Sequence, residues 1–269
     1  MILISDNIHV MNPKVAKAMN DMDTKPIRDL ASRIKNSGAN IIDINPGPLR
    51  KDCSKMMAFL INSVQDATHL RLCLDTPNPE AIETGLTICK DKPIINGFSL
   101  EPHKMEKILP LAVDSDAETV GFLLHADGKV PRSLDERLAL AFTLAREAKK
   151  AGLPPERLII DPIVVPISWE DGTAQARDVL SCIRLLPDLL GFPVKTVVGL
   201  SNLTSGAGAK TASLLIEEAY LAMLAEAGLD IVLLNVLRKR SVATAFICDS
   251  IKNSRIWSWA EHDVWFLNT

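Results

Sequence analysis

The chain has 269 residues, 47% hydrophobic and 23% charged, enough for one large domain or two small ones. A formal net charge of −3 and a pI near 6.0 leave no electrostatic footprint for nucleic acid or an anionic membrane. The opening "MILISDNIHVMNPK" lacks the apolar length and basic flank of a signal peptide, and no run is long enough to span a bilayer. Five cysteines (Cys53, Cys73, Cys89, Cys182, Cys248) stand far apart without a CxxC pair. They predict reduced thiols in a cytoplasmic protein and no metal site.

Taken in chain order, short apolar runs alternate with helical periodicity. "MILIS" reads as a first strand, with Asp6 and Asn7 just past it. In "KPIRDLASRIKNSG", Ile27, Leu30, Ala31 and Ile34 share one face and Gly38 marks the stop. "NIIDIN" carries Asp43 and Asn45 into a Pro-Gly-Pro turn. "RLCLD" runs straight into Asp75, yet Asn78 and Pro79 already supply the next helix with its cap and first-turn proline. Asp75 therefore has no local backbone task. "PIING" ends at Asn96, "PHKMEKILPLAV" aligns Met105, Ile108, Leu109 and Ala112, and "TVGFLLH" ends at His125. A capping box, Ser133 to Glu136, opens a long helix that closes at Gly152. "RLIIDP" ends in Asp161, "TVVGLSN" in Ser201 and Asn202, and "DIVLLN" in Asn235.

Eight strands alternating with eight helices predict one (β/α)8 TIM barrel spanning 1–269 as a single domain. The continuous apolar character of the strands suits parallel strands covered on both faces, and a doubly wound sheet is the competing architecture. In a barrel the polar strand ends meet at one face, where the active sites of this fold lie. An Asn or Asp after a strand is by itself a turn former. The repetition at one end of so many strands is not explained by turns. The set is rich in carboxylates and carboxamides and poor in cations, which suits a neutral hydrogen-bonding heterocycle better than a phosphate. "SGAGAK" (Ser205 to Lys210) matches neither a Walker loop nor a dinucleotide fingerprint, and reads as a loop beside the ligand, with phosphate binding the alternative.

The motifs "IIDINPGP", "LCLDT", "IING", "IIDPIVVP" and "VVGLSN", in this order, resemble those of the pterin-binding methyltransferases. These enzymes move a methyl group between tetrahydrofolate and a corrinoid protein, in pathways such as O-demethylation or acetogenesis. The resemblance runs from Met1 to about Asn253. It implies that Asp75, Asn96 and Asp161 hold the pterin ring and that Asn202 is the catalytic contact to N5. Asp43, Asn45 and Ser201 would complete the folate site, with Asp6 and His125 as possible additions. It also implies a homodimer.

Dihydropteroate synthases share the barrel and the pocket, but carry a basic residue after the strand-seven serine, where this chain has Asn202. The first-strand motif departs from the family's Gly-Glu-Arg-x-Asn, reading Ser5-Asp6-Asn7-Ile8-His9, and His125 stands where Asn is usual. No Asp-x-His-x-x-Gly run occurs, so the cobalamin is expected on a separate partner protein. A non-catalytic folate-binding subunit of a corrinoid assembly is the rival of a different class. Trp257, Trp259 and Trp265 crowd the tail 254–269, expected to pack on the barrel or to meet a partner.

Overall fold

The computed structural model describes residues 1–49, 51–207 and 210–255, the side chain of Lys210 excepted. The tail from 256 on, with its three tryptophans, and part of "SGAGAK" (208–209) lie outside the described residues. Eight parallel strands close into a barrel in sequence order: β1 (Ile2–His9), β2 (Ile41–Asn45), β3 (Arg71–Asp75), β4 (Ile94–Phe98), β5 (Glu118–Phe122), β6 (Leu158–Asp161), β7 (Lys195–Gly199) and β8 (Ile231–Leu234). The doubly wound alternative is thereby excluded.

Eight helices surround the strands as expected: α2 (Thr24–Asn36), α3 (Cys53–Gln65), α4 (Pro79–Ile88), α5 (Pro102–Ser115), α6 (Leu134–Lys150), α7 (Gly172–Leu190), α8 (Lys210–Ala227) and α9 (Lys239–Lys252). A further helix, α1 (Pro13–Asp21), precedes α2 and was not expected. Its signal is present in "MNPK": the Asn12 side chain accepts from Lys14 N at 3.1 Å and Pro13 takes the first turn. No helix among the described residues is long and apolar enough to cross a membrane.

The strand period of two organises the interior. Ile4, Ile41, Cys73, Ile94, Val120, Ile159, Val197 and Ile231, one from each strand, form a buried plug inside the barrel. Two residues further along each strand, on the same face, stand Asp6, Asp43, Asp75, Asn96, Phe122, Asp161, Gly199 and Leu233. The plug is therefore the floor and this second layer the wall of whatever opens above it. Helices and the outer strand faces bury the larger apolar layer around it.

Closure between β8 and β1 has its own polar device. Asn7 Nδ2 donates to Asn235 Oδ1 at 2.7 Å, and Val236 N donates back to Asn7 Oδ1 at 3.2 Å. These two carboxamides thus add a side-chain link to the backbone ladder that closes the barrel. The register of β1 against β2 shifts between Ser5 and Ile8, the segment that carries Asp6.

Candidate active site

A cavity of about 380 Å³ opens above the plug. Its lining includes all eight second-layer residues, with Asn45, Ser201 and Asn202 nearer the mouth and His9, Val10 and Met11 from the end of β1. Every residue expected at the site lines this cavity except His125. The strand that was expected to reach His125 ends at Phe122. His125 instead turns outward on the following loop, its Nε2 3.3 Å from Glu136 Oε2. Glu136 also accepts from Arg132 N at 2.8 Å, so the capping box at α6 closes on Arg132 rather than on Ser133.

The carboxylates share a desolvated setting with few compensations. Asp75 accepts from Asn45 Nδ2 at 2.5 Å, while Asn45 Oδ1 accepts from Gly47 N at 3.0 Å. The cap of α4 is indeed Asn78, whose side chain accepts from Ala81 N at 3.1 Å, so Asp75 is free of that task. Burial pushes the Asp75 carboxyl up to about 6, against the Asn45 hydrogen bond and the charge of Lys104. Asp161 is pushed up to about 7 by burial alone, opposed by the Ile163 N–H that donates to its Oδ1 at 2.8 Å.

Asp43 is 2% exposed, and its Oδ1 has no hydrogen-bond partner. Burial, with the neighbouring Asp75 charge adding to it, raises its carboxyl well above the usual range. An orphaned acceptor at the bottom of a cavity is costly unless something donates to it. Asp6 reaches about 6, raised by burial and held down chiefly by the charge of Arg238. Its Oδ2 lies 3.5 Å from Ser201 Oγ. Arg238 is fixed in turn by buried Glu217, which Thr204 also contacts.

Ser201 and Asn202 sit in the short turn Leu200–Thr204 that follows β7. A Cβ on Gly199 would stand 2.9 Å from Asn202 Nδ2, so the glycine makes room for that carboxamide to fold over the strand end. Among the described residues nothing hydrogen-bonds the Asn202 side chain, which leaves both its donor and its acceptor to a ligand.

Sequence reasoning missed Phe122, Leu233 and Gly199. All three follow from counting two residues past the plug position of their strands, a signal obscured because none of the three is polar. Lys104 was also missed. Its Nζ lies 5.7 Å above the Phe122 ring and 2.7 Å from Glu101 Oε2, so it braces the aromatic wall of the cavity.

The wall therefore presents four carboxyls that burial shifts upward and three carboxamides, with no cation among the described lining side chains. It can accept several N–H donors from a flat polar ring set against Phe122. A closed parallel barrel with such a pocket at its C-terminal mouth defines a binder of small nitrogen heterocycles.

Comparison with known proteins makes this particular. The sequence model of pterin binding enzymes matches residues 12–235, and the chain belongs to that family. A methylcorrinoid:tetrahydrofolate methyltransferase of Eubacterium limosum is 28% identical over 255 residues, covering 93% of this chain and 91% of the relative. Among solved structures, Yersinia pestis DHPS with a pterine-sulfa conjugate superposes with a TM-score of 0.71 at 14% identity, over 94% of both chains. The dihydropteroate synthase of Xanthomonas albilineans, in complex with 7,8-dihydropteroate, gives 0.70 at 18% identity over 93% of both. These two likenesses establish the shared barrel. The resemblance drawn from the motifs holds.

Proposed function

We propose that the chain is a methyltransferase moving a methyl group between N5 of tetrahydrofolate and the cobalt of a separate corrinoid protein. The observation that carries this reading is the wall after β7. It ends in the neutral pair Ser201-Asn202, where release of a diphosphate would call for a cation. The methyltransferase relative, similar over nearly its whole length, supports the same choice over a dihydropteroate synthase.

In this reading the amino-pyrimidinone edge of the pterin donates to Asp75 and Asp161 and exchanges hydrogen bonds with Asn96. The orphaned Asp43 Oδ1 takes a further N–H, and Asn45 holds Asp75 in place. That edge lies against β3, β4 and β6, so the far ring faces β7, β8 and β1, where Asn202 meets N5. A carboxamide can donate or accept, and so serves N5 whether a methyl group arrives or leaves. When N5 gains a methyl group its lone pair forms the new bond and its proton departs. When N5 loses one, the bonding pair returns to N5 and a proton must be supplied, help typically worth about 10²–10⁴ in rate.

A cavity of about 380 Å³ suits a pterin and is too small for a corrin ring. The corrinoid belongs on a partner that covers the open mouth, beside the exposed Met11. Cytoplasmic location and a homodimer complete the proposal.

Single-turnover mixing with 5-methyltetrahydrofolate and cob(I)alamin, followed in the cobalt spectrum, tests it. Methyl transfer is expected. Tight folate binding without transfer would instead make the chain a folate-binding subunit, and turnover of a pterin diphosphate with p-aminobenzoate would make it a synthase.

A further inference from the structure

Arg137, on α6, is 0% exposed and is the largest fully buried side chain of the described residues. Buried arginines are ordinarily paired with a carboxylate. This one forms no ion pair with any described residue. Its Nε donates to Pro162 O at 3.1 Å, and its terminal nitrogens to Ile163 O at 3.5 Å, Ser133 O at 3.4 Å and Gln175 Oε1 at 2.9 Å. Gln175 is anchored to Asp171 through its Nε2 at 2.9 Å. A rigid planar fork has thus been sunk into the fold to hold backbone carbonyls.

The carbonyls it holds are those of the two residues after Asp161. Ile163 has φ of 64°, the left-handed region that a β-branched residue resists most. The Ile163 N–H lies in the same peptide plane as the Pro162 carbonyl that Arg137 holds, and it points back to Asp161 Oδ1, at 2.8 Å. Arg137 makes no direct contact with the Asp161 carboxyl, whose hydrogen bond comes from the Ile163 N–H. Its action is through the backbone.

We propose that Arg137 is a positioning residue for the pterin site: it clamps the Pro162 and Ile163 carbonyls, forces Ile163 into the left-handed turn, and so fixes Oδ1 of Asp161 on the Ile163 N–H, leaving Oδ2 for the ligand. The proposal rests on Asp161 facing the ligand. A glycine at 163 adopts the same turn without being forced, so the clamp becomes dispensable once Ile163 is replaced.

The test is a double-mutant cycle on the full chain with Arg137→Gln, Ile163→Gly and their combination, read by calorimetry with tetrahydrofolate. Arg137→Gln is expected to lose about tenfold in affinity, Ile163→Gly to stay within about threefold of wild type, and the double variant to recover to within about threefold. A second readout needs no ligand: the Asp161 carboxyl followed by carbon NMR against pH, assigned with Asp161→Asn. Its midpoint should rise in Arg137→Gln, where the Ile163 N–H is lost, and return in the double variant. If Arg137→Gln does not fold, Arg137→Lys, which keeps the charge without the fork, takes its place in both measurements. An unmoved Asp161 midpoint, or a double variant no better than the Arg137 single, overturns the proposal. A wild-type chain that ignores tetrahydrofolate while the NMR cycle behaves as expected would sink the folate reading and leave the clamp standing.

Discussion

Replacing Asp161 with Asn should make the empty protein more stable and the site worse. The change keeps the shape and the Oδ1 acceptor for the Ile163 N–H, and replaces the ionisable Oδ2 with a neutral NH2 donor. In the folded chain the carboxyl titrates at about 7, against an ordinary value of 3.8. The folded state therefore binds this proton more tightly than the unfolded state, and stability falls as pH rises from about 4 through about 7. A displacement of that size corresponds to about 4 kcal/mol, reached in full only above pH 7. Relaxation around the charge would leave about 2–4 kcal/mol, several degrees in melting temperature for a chain of this length.

The comparison to make is wild type against Asp161→Asn by thermal melts without ligand, at steps from pH 4.5 to 8.5. The two curves should nearly coincide at the acid end and separate as pH rises, with the variant the more stable. Tetrahydrofolate binding should move the opposite way, about 10- to 100-fold weaker in the variant, because a hydrogen bond to a charged group is worth about 1.5–3 kcal/mol. A stability gap that does not change with pH would refute the reasoning, since it would mean that the buried carboxyl titrates normally.

Asp75→Ala should weaken tetrahydrofolate by about 10- to 100-fold on the same ground, and calorimetry showing unchanged affinity with an intact fold would remove Asp75 from the site. Asn202→Ala should leave affinity within a few-fold but lower the rate of methyl transfer by about 10²–10³, as loss of one preorganised transition-state contact does; a wild-type rate in rapid mixing would refute the N5 assignment. Gly199→Ala, whose new methyl group would crowd the Asn202 carboxamide, should reproduce that rate defect more weakly with folate still bound. The proposed dimer is expected to cover exposed apolar residues such as Leu215 and Met223 on α8. Light scattering should give twice the chain mass for wild type and less for Met223→Glu combined with Leu215→Glu, and a monomeric wild type would end the dimer proposal.

Most of the barrel was legible because its signals are local. The caps at Asn78 and Ser133, the apolar strands and the carboxylate stranded at Asp75 each follow from neighbours in sequence. What was not legible depends on distant groups. Asn7 and Asn235 looked like turn formers or site residues, and only barrel closure makes them a pair across β1 and β8. His125 looked like a strand end because Leu123 and Leu124 continue the apolar pattern of β5, but the strand stops at Phe122 and the chain turns outward. Arg137 gave no sign of its role, since a cation within an amphipathic helix normally faces solvent. Its partners are the carbonyls of a turn 25 and 26 residues further on.

The two inner layers of the barrel also explain how one fold can host different chemistry. Each residue of the second layer stands two positions beyond a plug residue of its own strand, so the plug that stabilises the closed sheet also sets the direction of the wall side chains above it. Changing an upper residue leaves the plug packing untouched. That is why chains of 14–18% identity can share this barrel, and why the decisive difference can be confined to one strand end. The upper layer here leaves burying costs unrelieved in the empty protein: four carboxyls shifted upward, and one orphaned oxygen on Asp43. A resident cation would cancel those costs; none lines the cavity among the described residues, and the nearby Arg238 and Lys104 offset them only for Asp6 and Asp75. A ligand that brings N–H donors and no negative charge of its own to this wall would relieve them. The same imbalance discriminates against an anion: a phosphate placed there would meet desolvated carboxyls on several sides. In the proposed reading, the electrostatics of the wall favour a pterin ring entering edge first, with any charged tail left outside the mouth.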